Sequence, residues 1–418
     1  MPENKPVIRF KGFEEDWEQR KLGDAIEKLD GGASIRPTDY QEQGVRTVPK
    51  GAVNNSGVAD LAGSKFVSEE FFEKNTSSHV ESNSLVTSLR DLVPSAPNIG
   101  RIVRIGGIDE KFLMPQGVYK LELFANIDEN FVIAYSNSEK YRKIISTEKN
   151  GSTQVHIRNE KFLNINIPLP SLEEQKKIGT FFKQLDDTIT LHQRKLDLLK
   201  QMKKGFLQRI FPKNDEKVST LRFSDFTGEW EQHKLGEIAP LRGGFAFKSN
   251  NFKSEGVPIV RISNILSSGK VGNEFVYYDN QEKDENYLLP DEAAVLAMSG
   301  ATTGKVSILD NPYNHKYYQN QRVGYFIPTK NIDYKFISTI VRSKLFLDQL
   351  NSVLVAGAQP NISSKDIGGF EFLVPKNIEE QQNIGILFKQ LDSLITLHQE
   401  KLDKLVTLKK SYLQKMFI

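Results

Sequence analysis

Residues 172–211 and 378–417 carry nearly the same text. Laid over one another at a shift of 206 positions, 24 of 40 residues coincide without a gap. Both copies hold Glu-Glu-Gln (173–175 and 379–381), Phe-Lys-Gln-Leu-Asp (182–186 and 388–392) and Ile-Thr-Leu-His-Gln (189–193 and 395–399). No proline interrupts either run and Pro212 follows the first, so each is predicted as one long helix. Ser171 with Glu174, and Asn377 with Glu380, have the spacing of a capping box, in which the carboxylate reaches back to the cap. Apolar residues recur every three or four positions: Ile178, Phe182, Leu185, Ile189, Leu196 and Leu199, echoed by Ile384, Phe388, Leu391, Ile395, Leu402 and Leu405. That is a coiled-coil seam. About 58 Å of helix with a single apolar stripe needs a partner, and its own copy is the candidate. Two polar pairs interrupt the seam, His192/His398 and Lys203/Lys409. They read as solvated positions or, if the helices run antiparallel about a local two-fold, as histidines that meet and fix the register.

The repetition extends beyond the helix. Arg9–Gly23 matches Arg222–Gly236 at a shift of 213, sharing Arg-Phe, a further phenylalanine, Trp-Glu-Gln and Lys-Leu-Gly. The expected fold is α+β: two mixed α/β domains joined by two long antiparallel helices in a pseudo-two-fold tandem repeat. The expected order is a first domain over 1–168, a helix over 169–212, a linker and lead-in over 213–234, a second domain over 235–373 and a helix over 374–418. The globular parts are far less alike, although both open on Gly-Gly (Gly31-Gly32, Gly243-Gly244) and close on spaced Gly, Gln and Ile (Gly151, Gln154, Ile157; Gly357, Gln359, Ile362). Strands are predicted near 257–262, 294–298 and 323–327, and helices near 127–146 and 332–350.

At 418 residues there is room for two or three domains. The chain has no cysteine, which excludes disulfides, thiolate zinc sites and cysteine nucleophiles. Nothing resembles a signal peptide or an apolar run of 18 residues, so a cytoplasmic protein without a membrane partner is expected. A net charge of +3 permits nucleic-acid binding without announcing it.

A diverged globular part followed by a near-identical long helix, repeated once, resembles the specificity subunit of type I restriction-modification enzymes. The resemblance covers the whole chain and is carried most specifically by Leu172-Glu-Glu-Gln-Lys-Lys-Ile with its echo, Val260-Arg-Ile-Ser-Asn-Ile and Ser299-Gly-Ala-Thr-Thr-Gly-Lys305. It implies two target recognition domains, each reading one half of a split, asymmetric site in double-stranded DNA, with the helices as a ruler. It also implies docking of two modification (methyltransferase) subunits and association with restriction (translocase/nuclease) subunits. S-adenosylmethionine, ATP and magnesium would sit on those partners, and this chain would bind no cofactor and catalyse nothing. A 58 Å helix corresponds to at most roughly 17 base pairs of spacing.

Enzyme-like strings fail on inspection. Gly300-Ala-Thr-Thr-Gly-Lys305-Val306 has three residues between its glycines and a valine after the lysine, where a phosphate loop needs four residues and a hydroxyl. Asn311-Pro312-Tyr313 lacks the second proline of a methyltransferase motif and reads as a turn. Glu174-Gln175-Lys176 is expected to be a solvated helix face, and the six histidines show no metal-ligand spacing. No catalytic or metal-binding residue is assigned.

Phosphates are met by lysine, arginine and backbone N–H groups, and bases by arginine, asparagine, glutamine and small hydroxyls. In the second domain such residues cluster as Arg261, Asn264, Thr302, Thr303, Lys305, Asn320, Gln321, Arg322, Gln359 and Asn361. In the first, the counterparts by order are Lys50, Asn54, Asn55, Arg90, Asn98, Arg101, Arg104, Gln154 and Arg158. The rival readings are a protein-docking scaffold on a coiled coil without DNA readout, and a self-sufficient methyltransferase or nuclease.

Overall fold

The computed structural model describes residues 5–91, 93–151, 154–213, 216–355 and 361–418. Two helices of 38 residues dominate it, α1 (Leu172–Arg209) and α2 (Ile378–Lys415). The compact units cut across the sequence repeat: unit 1 is Met1–Lys195 with His398–Ile418, and unit 2 is Leu196–Leu397. The helices are the reason. Within each unit the start of one helix lies antiparallel to the end of the other.

In unit 1, Phe182 stacks on Phe417, Phe181 meets Tyr412 edge-on, Asp186 pairs with Lys409 and His192 faces His398. In unit 2, Lys203 pairs with Asp392, and Leu199 and Phe206 pack on the cluster containing Ile384, Phe388 and Leu391. Ile178, Phe182, Leu185, Leu196, Ile384, Phe388, Leu391 and Leu402 are buried, and Ile189, Leu199, Ile395 and Leu405 are half-buried. The two histidines meet across the seam, with Nδ1 atoms 2.8 Å apart. Burial, with His398 and nearby Lys401 and Lys195, lowers the proton affinity of His192.

Of Glu174-Gln175-Lys176, expected to form a solvated face, only Lys176 is exposed. Glu174 and Gln175 are buried, as are Glu380 and Gln381. Gln175 accepts from Asp128 N at 3.0 Å and donates to Pro170 O at 2.9 Å, and Gln381 does the same with Asp333 N at 2.9 Å and Pro375 O at 2.8 Å. The glutamates do not reach back as in a capping box. Arg9 holds Glu174 in a two-pronged pair at 2.7 and 2.8 Å, and Arg222 holds Glu380 at 2.7 Å on both prongs. The lead-in and the helix start repeat together because they are ion-pair partners.

Each predicted helix near 127–146 and 332–350 is two. The first runs Glu129–Ser136 and Glu139–Glu148, the second Tyr334–Ile340 and Lys344–Val355. Ser138 accepts from Tyr141 N and Ser343 from Phe346 N, restarting the helix after a break.

Two glycines in α1 have opposite surroundings. A Cβ on Gly205 meets nothing within 4 Å, whereas one on Gly179 would lie 2.2 Å from Asp128 Oδ1 and 2.6 Å from Phe131 N. Gly205→Ala should therefore stabilise the protein by about 0.5–1 kcal/mol through helix propensity. Gly179→Ala carries the same propensity gain, but forcing the helix off its neighbour should leave a net loss of about 1–3 kcal/mol. Denaturant midpoints of the two variants should move in opposite directions.

Both units contain a four-stranded antiparallel sheet of the same order. In unit 1 it is built from β1 (Ile26–Gly31), β2 (Leu85–Ser88), β3 (Ile102–Arg104) and β4 (Val118–Leu123), ordered β1-β4-β2-β3. In unit 2 it is built from β5 (Leu241–Gly243), β6 (Ala294–Ala297), β7 (Val306–Ile308) and β8 (Val323–Phe326), ordered β5-β8-β6-β7. One face of each sheet contributes to the core that holds the tryptophan, Trp17 or Trp230, and the end of a long helix, Phe417 or Phe211. No helix among the described residues is long and apolar enough to cross a membrane.

Candidate nucleic-acid interface

The loops at one end of each sheet are stitched by the same backbone hydrogen bonds. Leu89 N donates to Gly117 O at 3.0 Å in unit 1, and Met298 N to Arg322 O at 3.0 Å in unit 2. Ile157 N bonds Leu89 O at 3.0 Å, as Ile362 N bonds Met298 O at 3.0 Å. Gly100 N bonds Ser88 O at 2.8 Å, as Gly304 N bonds Ala297 O at 2.8 Å. Gln116 N bonds Ala33 O at 2.7 Å, and Gln321 N bonds Phe245 O at 2.9 Å. The Gly-Gly pairs belong to this frame. A Cβ on Gly32 would lie 2.1 Å from Pro115 O, and one on Gly244 2.3 Å from Asn320 O, so only glycine admits the close approach.

On that frame the candidate DNA-binding residues separate by whether their side chains already have work within the fold. In unit 2, Asn264 does: it is fully buried, accepts from Arg261 N at 3.0 Å and donates to Gly272 O and Glu274 O at 2.8 and 3.1 Å. It shapes the loop and does not face a ligand, because both amide groups are consumed inside. Thr302 donates to Ile262 O, Thr303 to Gly300 O and Lys305 to Ser267 Oγ. Asn320 accepts from Arg322 N at 3.4 Å. By contrast the side chains of Arg261, Gln321, Arg322 and Asn361 have no hydrogen-bond or ion-pair partner among the described residues, and the last three are exposed. Arg261 Nε is buried and unsatisfied. Behind this loop, buried Gln319 donates to Arg242 O and Val323 O and accepts from Arg242 Nε, tying both ends of residues 320–322 to the sheet. Gln359 lies outside the described residues.

In unit 1, Lys50, Arg90, Asn98 and Gln154 line one cleft of about 600 Å³, together with Asp91, Gln116 and His156. Among the described residues these four predicted side chains have no hydrogen-bond or ion-pair partner. Gln116 and His156 were missed by sequence reasoning. The signal available for Gln116 is its spacing from the Gly-Val that opens β4, but that becomes legible only beside the backbone frame. Arg104 and Arg101 serve the fold. Arg104 is paired with Glu129 and bonded to Asn130 and Asn83 O. Arg101 bonds Pro97 O and Asn137, and burial, with Arg142 alongside, pushes its guanidinium down to about 10. Asn54 organises its own turn through Ala52 O, Val58 O and Ser56 N. Asn55 is exposed and its carbonyl accepts from Lys409, and Arg158 is exposed at the start of the Asn159–Leu163 helix; neither lines the cleft.

The rejected motifs have structural uses. Gly300 and Gly304 take φ of +83° and +85° in a tight turn. Asn311 is buried and clasps His315 through N and O in the turn predicted for it. Among the described residues no group of three or more histidines or carboxylates converges.

Two copies of one backbone frame, each presenting a different set of unpartnered polar side chains, define a double-headed recognition protein. The description of the matching family profile is "Type I restriction modification DNA specificity domain", and it covers residues 14–201 and 227–407. The chain belongs to this family, whose specificity subunits are the non-catalytic DNA-recognition members of restriction-modification complexes. The type I restriction enzyme MjaVIII specificity subunit of Methanocaldococcus jannaschii is 26% identical over 408 residues, covering 95% of this chain and 91% of the relative. The EcoKI specificity subunit of Escherichia coli is 24% identical over 311 residues, covering 70% of this chain and 65% of that protein. The crystal structure of the type I restriction-modification S subunit from M. genitalium shares the fold, with a TM-score of 0.68 at 14% identity over 99% of both chains.

Proposed function

We propose that each unit reads one half of a bipartite, asymmetric site in double-stranded DNA, and that the helix pair sets the spacer between the halves. The observation that carries this reading is the shared frame with different side chains: one docking geometry, two sequences read. The exposed apolar residues of the helices offer a surface for other chains. They include Leu191, Val406 and Leu408 in unit 1, and Leu198, Met202, Leu394 and Leu397 in unit 2. Apolar side chains left open along a helix favour protein partners, and two modification subunits docking there, with restriction subunits joining them, fit a helix surface that occurs twice. S-adenosylmethionine, ATP and magnesium then act on those partners, in the cytoplasm where chromosomal DNA is modified.

Deleting one turn from both helices, residues 197–200 and 403–406, tests the spacer. Each helix loses about 6 Å, and methylation mapping of DNA from cells carrying the variant with its modification subunit should show the spacer shortened by about two base pairs. An unchanged spacer rejects the ruler. A parental complex that methylates no two-part motif rejects the whole reading in favour of a docking scaffold.

A further inference from the structure

The hydrogen bonds that frame the loops place residues of the two units in one-to-one correspondence, which the sequences do not. Gln116 corresponds to Gln321: each donates its backbone N–H to the residue after the Gly-Gly pair, Ala33 or Phe245. Those residues make the same return bond, Ala33 N to Met114 O at 2.8 Å and Phe245 N to Gln319 O at 2.9 Å. The strand that follows opens identically, with Val118 N on Pro115 O at 3.0 Å and Val323 N on Asn320 O at 2.9 Å. Both glutamine side chains are exposed, and neither has a partner among the described residues. Around them the corresponding positions diverge: Gly117 against Arg322, Arg90 against Ser299, and buried Ala33 against half-exposed Phe245.

We propose that Gln116 and Gln321 are equivalent specificity-determining residues, each reading an A·T pair at the same place in its own half-site. This rests on the DNA-reading function proposed above. A glutamine amide offers one donor and one acceptor in a plane, which matches N6 and N7 of adenine in the major groove and no other base edge as well. Both frames hold the glutamine backbone at both ends of a short loop, so the side chain starts from a fixed point, as discrimination by a two-pronged contact requires. Identical residue and identical anchoring imply the same base pair. The neighbouring positions then make the half-sites different: Arg322 offers a guanine-reading fork from the residue next to Gln321, whereas in unit 1 that residue is Gly117 and the arginine beside it is Arg90, which comes from the other side of the cleft and packs over Gly117.

The test uses the full chain with its modification subunit. Gln116→Ala and Gln321→Ala are made separately, and methylation is measured on the chromosome and on duplexes carrying every single-base change in each half-site. In Gln321→Ala, one A·T position of a single half-site should lose about five- to 150-fold in discrimination, with the other half-site read as before. Gln116→Ala should give the mirror result. The untouched half-site reports on folding and assembly within the same molecule. Parental stringency in both variants overturns the proposal, as does relaxation at a G·C pair, or a uniform loss of methylation on every duplex. A parental complex that modifies no bipartite motif would instead remove the function on which the proposal rests.

Discussion

Arg222→Ala should destabilise the protein by about 3–5 kcal/mol, the cost of leaving a buried carboxylate without its cation. Glu380 has 1% of its side chain exposed and is held by the Arg222 fork and by Trp230 Nε1 at 3.3 Å. Arg222 is itself fully engaged, donating also to Gly228 O at 2.6 Å and Thr227 O at 3.3 Å. The matching substitution Arg9→Ala should cost less. Glu174 is equally buried, but Arg9→Ala also removes Arg9 Nη1, a buried donor with no acceptor among the described residues, and the burial of such a donor is itself unfavourable. Urea denaturation of the two variants side by side measures the difference. Equal losses would mean that Arg9 Nη1 is not orphaned in solution.

The seam lysines should differ even more, although the sequence writes them alike. Lys409→Met should cost towards the lower end of about 3–5 kcal/mol, because Asp186 is 16% exposed and Lys409 is the cation paired with it. Lys203→Met should cost only about 1 kcal/mol, because Asp392 is 32% exposed and retains Arg342. The two carboxylates titrate in opposite senses. Burial raises the proton affinity of Asp186 beyond what Lys409 offsets. Burial acts in the same direction on Asp392, but Arg342 and Lys203 together hold its carboxyl below the usual range. Asp392 thus contributes stability that is present above the unfolded carboxylate value of about 4 and is lost as pH falls through its folded value. The ionisation of Asp186 instead costs stability above its own folded value, and acidification removes that cost. Asp392→Asn should flatten the acid limb of a stability–pH profile, whereas Asp186→Asn should steepen it.

Much of the architecture was legible in the sequence because it is periodic or repeated. Ile178, Phe182, Leu196 and their echoes mark the seam at helical spacing, and a polar pair interrupting it, His192 and His398, can be placed by symmetry alone. The candidate interface was legible only in part. Residue type finds Arg90, Lys50, Arg322 and Gln321, but it finds Asn264, Arg101 and Arg104 equally well. An asparagine that closes a loop and one that reads a base are the same letter, and only the bonds made around Asn264 tell them apart.

The sequence by itself determined that two like modules exist and that each carries a long helix, and it made each helix the candidate partner of the other, since a single apolar stripe has to leave water. Tertiary structure decided how the modules close. The core of unit 1 is completed by Met416 and Phe417, at the far end of the chain, and that of unit 2 by Ile210 and Phe211 from the first repeat. Antiparallel pairing carries each helix end into the other repeat's core, and no local pattern encodes that exchange. It also decided that Gln116 and Gln321 correspond, because the correspondence lies in backbone hydrogen bonds, which any side chain can accompany.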